Sequence, residues 1–182
     1  TELGEAVVVI RMLWDIFFPQ EFQRDVLAPQ CLLEIGKQWR EHLKTPVGIY
    51  KYKMVPLFLG VKRINKEISR RNLALFYDIL AEAGVRVFLA YGTMLGAARE
   101  HDFIAHDEDI DLGMSKEYKD KLFSSLFKLR ENGFEVCRYD RRGVISFMKE
   151  GEYIDIYIYG KDEDGIVSCG QEVMPECFLQ DL

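Results

Sequence analysis

Apolar residues along this chain follow two different periods, and the change falls near residue 84. Upstream the period is helical. Val9, Leu13, Ile16 and Phe17 recur at helical spacing, Pro19 and Pro29 punctuate, and Leu32, Leu33, Ile35 and Trp39 form a second apolar face, so residues 6–43 predict helix. Residues 45–60, with two prolines and two glycines, predict a mostly irregular connection. Ile64, Ile68, Leu75, Phe76, Ile79 and Leu80 then predict one long amphipathic helix over residues 61–83, with Gly84 as its C-terminal glycine.

Downstream, short β-rich runs alternate with helical ones. Residues 85–91 predict a strand, 93–99 a short helix or turn, and 110–114 a second strand. Ser115 is placed to cap a helix over residues 116–132 that Gly133 ends. Residues 134–140 and 144–150 predict a hairpin around Arg141-Arg142-Gly143, and residues 153–159 another strand. An acidic turn over 160–165 precedes a last apolar run at 166–169. This rhythm predicts an α+β domain over residues 61–182, a mixed sheet flanked by helices, behind a helical N-terminal segment of residues 1–60.

Composition narrows the class. The chain has 182 residues, 48% hydrophobic and 13% aromatic, enough for a packed core and too apolar for a disordered chain. A net charge of -6 argues against nucleic acid as a partner. Charge is segregated: residues 51–71 hold seven Lys or Arg against Glu67, and residues 100–120 hold eight acids. The basic run reads either as a solvated helix face or as a surface for an anionic polymer or a membrane. Cys31, Cys137, Cys169 and Cys177 are scattered without zinc spacing or a disulfide framework, which suits a reducing compartment. The apolar stretch over residues 7–18 is broken by Arg11 and Asp15 and is too short to span a bilayer.

The chemistry concentrates between residues 87 and 114. Asp109-Ile110-Asp111 opens a strand, where positions i and i+2 share a face, so both carboxylates can converge on one site. Two such acids repel, and a hard divalent cation, Mg²⁺ or Mn²⁺, supplies the charge that keeps both ionised. Asp155 sits alone in the apolar run Tyr153-Ile154-Asp155-Ile156-Tyr157, where it is costly to bury unmatched. If its strand neighbours that of Asp111, three carboxylates cup one or two metal ions, an arrangement suited to in-line phosphoryl transfer. Gly92-Thr93, between an apolar strand and a helical turn, lets a phosphate approach free N–H groups, and Arg99 lies two turns further along as a bidentate donor. A plain acidic turn or a calcium loop would also be acid-rich. However, Ile110, Leu112 and Met114 alternate with the acids as in a strand entering a core, and the glycine spacing of an EF-hand is missing.

Gly92-Thr93-Met94-Leu95-Gly96-Ala97-Ala98-Arg99, then Ile104-Ala105-His106-Asp107-Glu108-Asp109-Ile110-Asp111, then Ile154-Asp155-Ile156 resembles the motif series of the LicD/fukutin family of phosphotransferases. The resemblance covers roughly residues 62–160 and implies a nucleotidyltransferase-like fold. It implies transfer of a phosphoalcohol group, phosphocholine or polyol phosphate, from a CDP-linked donor to a glycan or glycolipid hydroxyl for cell-surface glycan synthesis. On that pattern Asp109, Asp111 and Asp155 are metal ligands, Gly92, Thr93 and Arg99 hold donor phosphates, and Asp107 is a supporting acid. The implied location is the cytoplasm, at the inner face of the membrane for a peripherally associated member. Two alternatives use the same acids or none: passage of NMP from an NTP to a small acceptor, or a catalytically silent domain that binds a glycan or partner. Two departures stand out. Ala105-His106 replaces the family's Pro-Trp, leaving His106 as a substrate ligand, a general base or a surface residue. The chain also ends at Leu182 before the family's further helical segment, so it reads as a shortened member or a fragment.

Overall fold

A computed structural model gives the structure of residues 40–55, 62–140, 143–170 and 172–174. The helices expected over residues 6–39 lie outside the described residues. Where the N-terminal segment is described it is not helical. Arg40–Thr45 (β1) and Gly48–Lys53 (β2) form an antiparallel hairpin, in place of a helix end and an irregular connection. Thr45 Oγ1 donates to the Gly48 carbonyl across the turn. Tyr50 and Tyr52 are buried while Lys51 and Lys53 point to solvent, the two-residue period of a half-buried strand.

Helix α1 (Lys66–Glu82) starts later than its apolar pattern, because Asn65 caps it by accepting from the Ile68 N–H. Ser69, Asn72, Phe76, Ile79 and Leu80 recur on its buried face. It ends in a Schellman motif: Gly84 takes φ +66°, the Val85 N–H reaches the Leu80 carbonyl, and the Gly84 N–H reaches that of Ala81. The same bonds close α3 (Lys119–Glu131), with Gly133 at φ +85° and the Phe134 N–H on Leu129. Both expected C-terminal glycines are thus in place, each followed by a buried apolar residue. Ser115 caps a short 3₁₀ turn, Lys116–Tyr118, that leads into α3.

The sheet runs β3-β4-β7-β6-β5, from β3 (Phe88–Leu89), β4 (Ile110–Ser115), β5 (Glu135–Tyr139), β6 (Val144–Lys149) and β7 (Glu152–Lys161). Among the described residues only β4 and β7 pair in parallel, so the sheet is mixed. Short strands β8 (Val167–Cys169) and β9 (Glu172–Met174) extend the far end of β7. The expected strand at residues 85–91 shrinks to two residues, because Tyr91 already begins α2 (Tyr91–Glu100).

Alternation sorts the strands' side chains onto two faces. Ile110, Leu112, Met114, Ile145, Phe147, Ile154 and Ile156 pack with Phe76, Leu80, Leu122 and Leu126 of α1 and α3 in the main core. Phe76 meets Phe134 and Phe147 edge-on, at 5.1 and 5.0 Å between ring centres. The other face carries Asp111, Asp155, Ser146 and a smaller cluster around Val144, Tyr159, Val167 and Cys169.

Along and just before its helix the basic run is paired with acids. Lys62 pairs with Glu152 at 2.7 Å, Lys66 and Arg70 share Asp102 at 3.0 and 2.8 Å, and Arg71 pairs with Glu150. Hydrogen bonds from Arg70 and Lys66 push the Asp102 carboxyl down to about 2. Buried Glu152 also accepts from Asn65 N–H and Ser69 Oγ, so an acid pins the positive end of α1 to β7. Among the described residues no helix is long and apolar enough to cross a membrane.

Candidate active site

The parallel pairing of β4 and β7 sets Asp111 directly opposite Asp155. The adjacency that the sequence left conditional is therefore present. Asp109 precedes β4 by one residue and is half-buried, while Asp111 and Asp155 are 8% and 3% exposed. Burial, then the charges of Asp155 and Asp107, push Asp109 up to about 6. Burial, then Asp109 and Asp155, push Asp111 up to about 8. Burial also raises Asp155, with Ser146 and Arg138 pulling it back. Three acids that each resist ionisation here make a site short of positive charge.

The sequence reading missed the cation that does meet Asp155. Arg138 of β5 donates from Nη2 to Asp155 Oδ2 at 2.7 Å and from Nε to Ser146 Oγ at 3.0 Å. Asp155 Oδ1 stays buried without a partner, as does Asp107 Oδ2. Among the described residues no three acids are drawn together as a ready set of metal ligands. The donor chemistry still fits a hard divalent cation: carboxylates facing each other on neighbouring strands, and a buried orphan oxygen on Asp155.

Residues around α2 frame the acids. The buried Thr93 Oγ1 accepts from the Asp111 N–H at 2.9 Å, and the Ala90 N–H donates to the Asp111 carbonyl, so α2's first turn is tied to β4. A Cβ at Gly92 would lie 2.3 Å from Asp107 Oδ2. Gly92 thus makes room for the Asp107 carboxylate. Asp107 is held in place: its Oδ1 accepts from Glu108 N–H, and its carbonyl takes the Ile64 N–H ahead of α1. Arg99 is exposed in the last turn of α2, about 10 Å along the axis from Gly92, and is not brought to the carboxylates. His106 is exposed on the loop before Asp107.

Three tyrosines also escaped the sequence reading. Tyr91 holds φ +44°, strained for an aromatic residue, at the start of α2. Its ring lies 4.7 Å from that of Tyr157, and its hydroxyl bonds the Tyr159 hydroxyl at 2.6 Å. Tyr157 hydrogen-bonds Asp111, and its own acidity constant is raised by burial and then by the charge of Asp111. The alternation of tyrosines at 157 and 159 with Ile156 and Ile158 was the available signal that they share Asp155's face.

A pH effect follows from these shifts. The folded acidity constants of Asp109 and Asp111, about 6 and about 8, lie above the ordinary carboxylate value of about 4. The contribution of these two carboxyls to the stability of the metal-free protein is therefore fully present below pH 4 and is lost as pH rises towards 8. Thermal melts in a chelator are expected to show a falling Tm across that window, and Mg²⁺ to flatten the fall. A Tm that rises from pH 5 to 8 in chelator would refute the carboxylate cluster.

Residues 84–166 match the family model described as the LicD/FKTN/FKRP nucleotidyltransferase domain. The match contains all the site residues named above. An uncharacterized protein of Rickettsia typhi is 26% identical over 104 residues, which cover 57% of this chain and 32% of that one. The matched part thus spans about a third of that relative's length. Among solved structures, a lincosamide antibiotic adenylyltransferase, LnuA, crystallised with lincomycin, is loosely similar: 18% identity, TM-score 0.41, covering 58% of this chain and 68% of that one.

Proposed function

We propose, on the premise that residues 84–166 form a domain of the LicD/FKTN/FKRP nucleotidyltransferase family, that the transferase activity is metal-dependent and moves a phosphoalcohol group from a CDP-linked donor to a glycan hydroxyl. The observation that carries this reading is the placement of Asp111 against Asp155 on neighbouring parallel strands, with Asp109 two residues upstream. Asp109, Asp111 and Asp155 would hold Mg²⁺ or Mn²⁺, which when bound would neutralise charge on a transferring phosphoryl group.

The chain's own groups orient the reactants. Thr93 fixes the Asp111 backbone through its oxygen and has its hydroxyl proton to give to a donor phosphate. Gly92 and the uncapped first turn of α2 offer N–H groups beside it. Tyr91 and Tyr157 pack ring to ring on the same side of the sheet as the acids. Arg99 and His106, both exposed, are proposed at the rim, where a glycan acceptor or the donor's far end would pass. The work would take place in the cytoplasm, at the inner face of the membrane if the acceptor is lipid-linked.

A second reading has its own support in the family description, which names nucleotidyl transfer. Product analysis separates the readings. The full chain is incubated with Mg²⁺, CDP-linked alcohols and glycan acceptors, and separately with nucleoside triphosphates and small hydroxyl acceptors. CMP release with labelled glycan is the expected result. Pyrophosphate release from a triphosphate would replace phosphoalcohol transfer with nucleotidyl transfer. Turnover of neither donor class would leave a silent binding domain.

A further inference from the structure

A single polar row crosses the second face of the sheet. Arg138, Ser146, Asp155 and Asp111 stand opposite one another on β5, β6, β7 and β4. Arg138 reaches this row only through an irregularity in its strand. Val136 is paired with Phe147 on the core face, yet Arg138 is paired with Ser146, the neighbouring position, so Cys137 is an extra residue between them. In a regular strand, residues 136 and 138 share a face. The bulge turns Arg138 from the core to the acids, and bulges beside active sites serve to re-aim a side chain in this way.

The two partners differ in freedom. The Asp155 side chain is 4% exposed and fixed in a central strand, whereas Arg138 is 29% exposed on the sheet's edge. Arg138 occupies one Asp155 oxygen and leaves the other buried and unmatched.

Building on the metal-dependent reading, we infer that Arg138 is a built-in counter-cation of the acid site, a positioning residue that holds Asp155 when no metal is bound and competes with the divalent ion for that carboxylate. An acid buried in the middle of a sheet would otherwise oppose folding before metal arrives. The same guanidinium, repelled by a bound divalent ion, weakens metal binding and keeps the site exchangeable. Arg138, the more exposed of the two, is then released towards the side where an anionic donor would lie.

The test uses the full chain as wild type, Arg138→Met and Arg138→Met with Asp155→Asn. Melts are run in chelator, and Mg²⁺ binding is followed by isothermal titration. Arg138→Met is expected to lower the metal-free Tm by about 10 °C, because it strands a buried carboxylate. Mg²⁺ or the added Asp155→Asn should restore most of that loss. Arg138→Met should also bind Mg²⁺ about tenfold more tightly or better, since an opposing charge is gone. If Arg138→Met folds only when Mg²⁺ is supplied, the competition is shown in its strongest form. Wild-type or weaker Mg²⁺ affinity in Arg138→Met would overturn the inference alone, as would a loss of Tm that neither Mg²⁺ nor Asp155→Asn relieves. Absence of Mg²⁺ binding to the wild type would overturn the metal-dependent reading, and this inference with it.

Discussion

Replacing Asp111 with asparagine is expected to cut turnover about a thousandfold or more while raising the melting temperature of the metal-free protein near pH 8. The first half follows from the proposed chemistry. A metal ligand that stabilises developing charge contributes several kcal/mol, and roughly 4 kcal/mol corresponds to a thousandfold in rate. The second half follows from burial. Asp111 is 8% exposed, and its carboxyl is pushed up to about 8 by burial and by Asp109 and Asp155. Near pH 8 the wild type must either ionise a buried group or take up a proton, and asparagine does neither. It also keeps the shape and can accept the hydrogen bond from Tyr157. The gain should shrink as pH falls to 4, where the folded wild-type carboxyl is protonated and the unfolded one is about half so. Parallel activity assays and melts at the two pH values check both halves. A variant that loses activity and stability together at pH 8 would make Asp111 a structural residue.

Replacing Gly92 with alanine is expected to lower activity about a hundredfold with the fold retained. The added methyl would sit 2.3 Å from Asp107 Oδ2, closer than any real contact allows, with the rest of that carboxyl 3.1 and 3.2 Å away. Something must move, and Asp107 is not a loose end. Its N–H, carbonyl and Oδ1 are all bonded, and it stands two residues before Asp109. A shift of the loop therefore carries into the acids, and displacement of catalytic groups by about 1 Å can cost about a hundredfold. Alanine itself suits a helix position, so unfolding is not the expected cause. The measurement is the ratio of activity to folded fraction, by near-ultraviolet circular dichroism. Wild-type activity would show that Asp107 is free to move without consequence for the chemistry.

What could be read from the sequence divides along physical lines. Local signals held well. Gly84 and Gly133 end their helices because a left-handed residue followed by a buried apolar one completes the motif, and all of that is adjacent in sequence. The acid–apolar alternation of residues 109–114 gave both the strand and its facing, and a lone Asp in an apolar run marked Asp155 as needing a partner. The partner's identity was not legible. Arg138 reaches Asp155 across an intervening strand and only after a bulge reverses its side, and no periodic pattern encodes that reversal. Arg99 lies exposed in the last turn of the same helix, about 10 Å along the axis from Gly92, a separation that residue spacing along a helix already implied. The hairpin at residues 40–53 was legible in part. Tyr50 and Tyr52 alternate with Lys51 and Lys53, but the prolines and glycines around them weighed towards an irregular connection.

The metal centre itself is tested most directly by counting bound Mn²⁺ by electron paramagnetic resonance, for the wild type and for Asp109→Asn with Asp111→Asn. Saturable binding by the wild type that weakens at least a hundredfold in the double variant is the expected result. A wild type that binds no Mn²⁺, or a double variant that binds it equally well, would contradict a catalytic metal held by Asp109, Asp111 and Asp155.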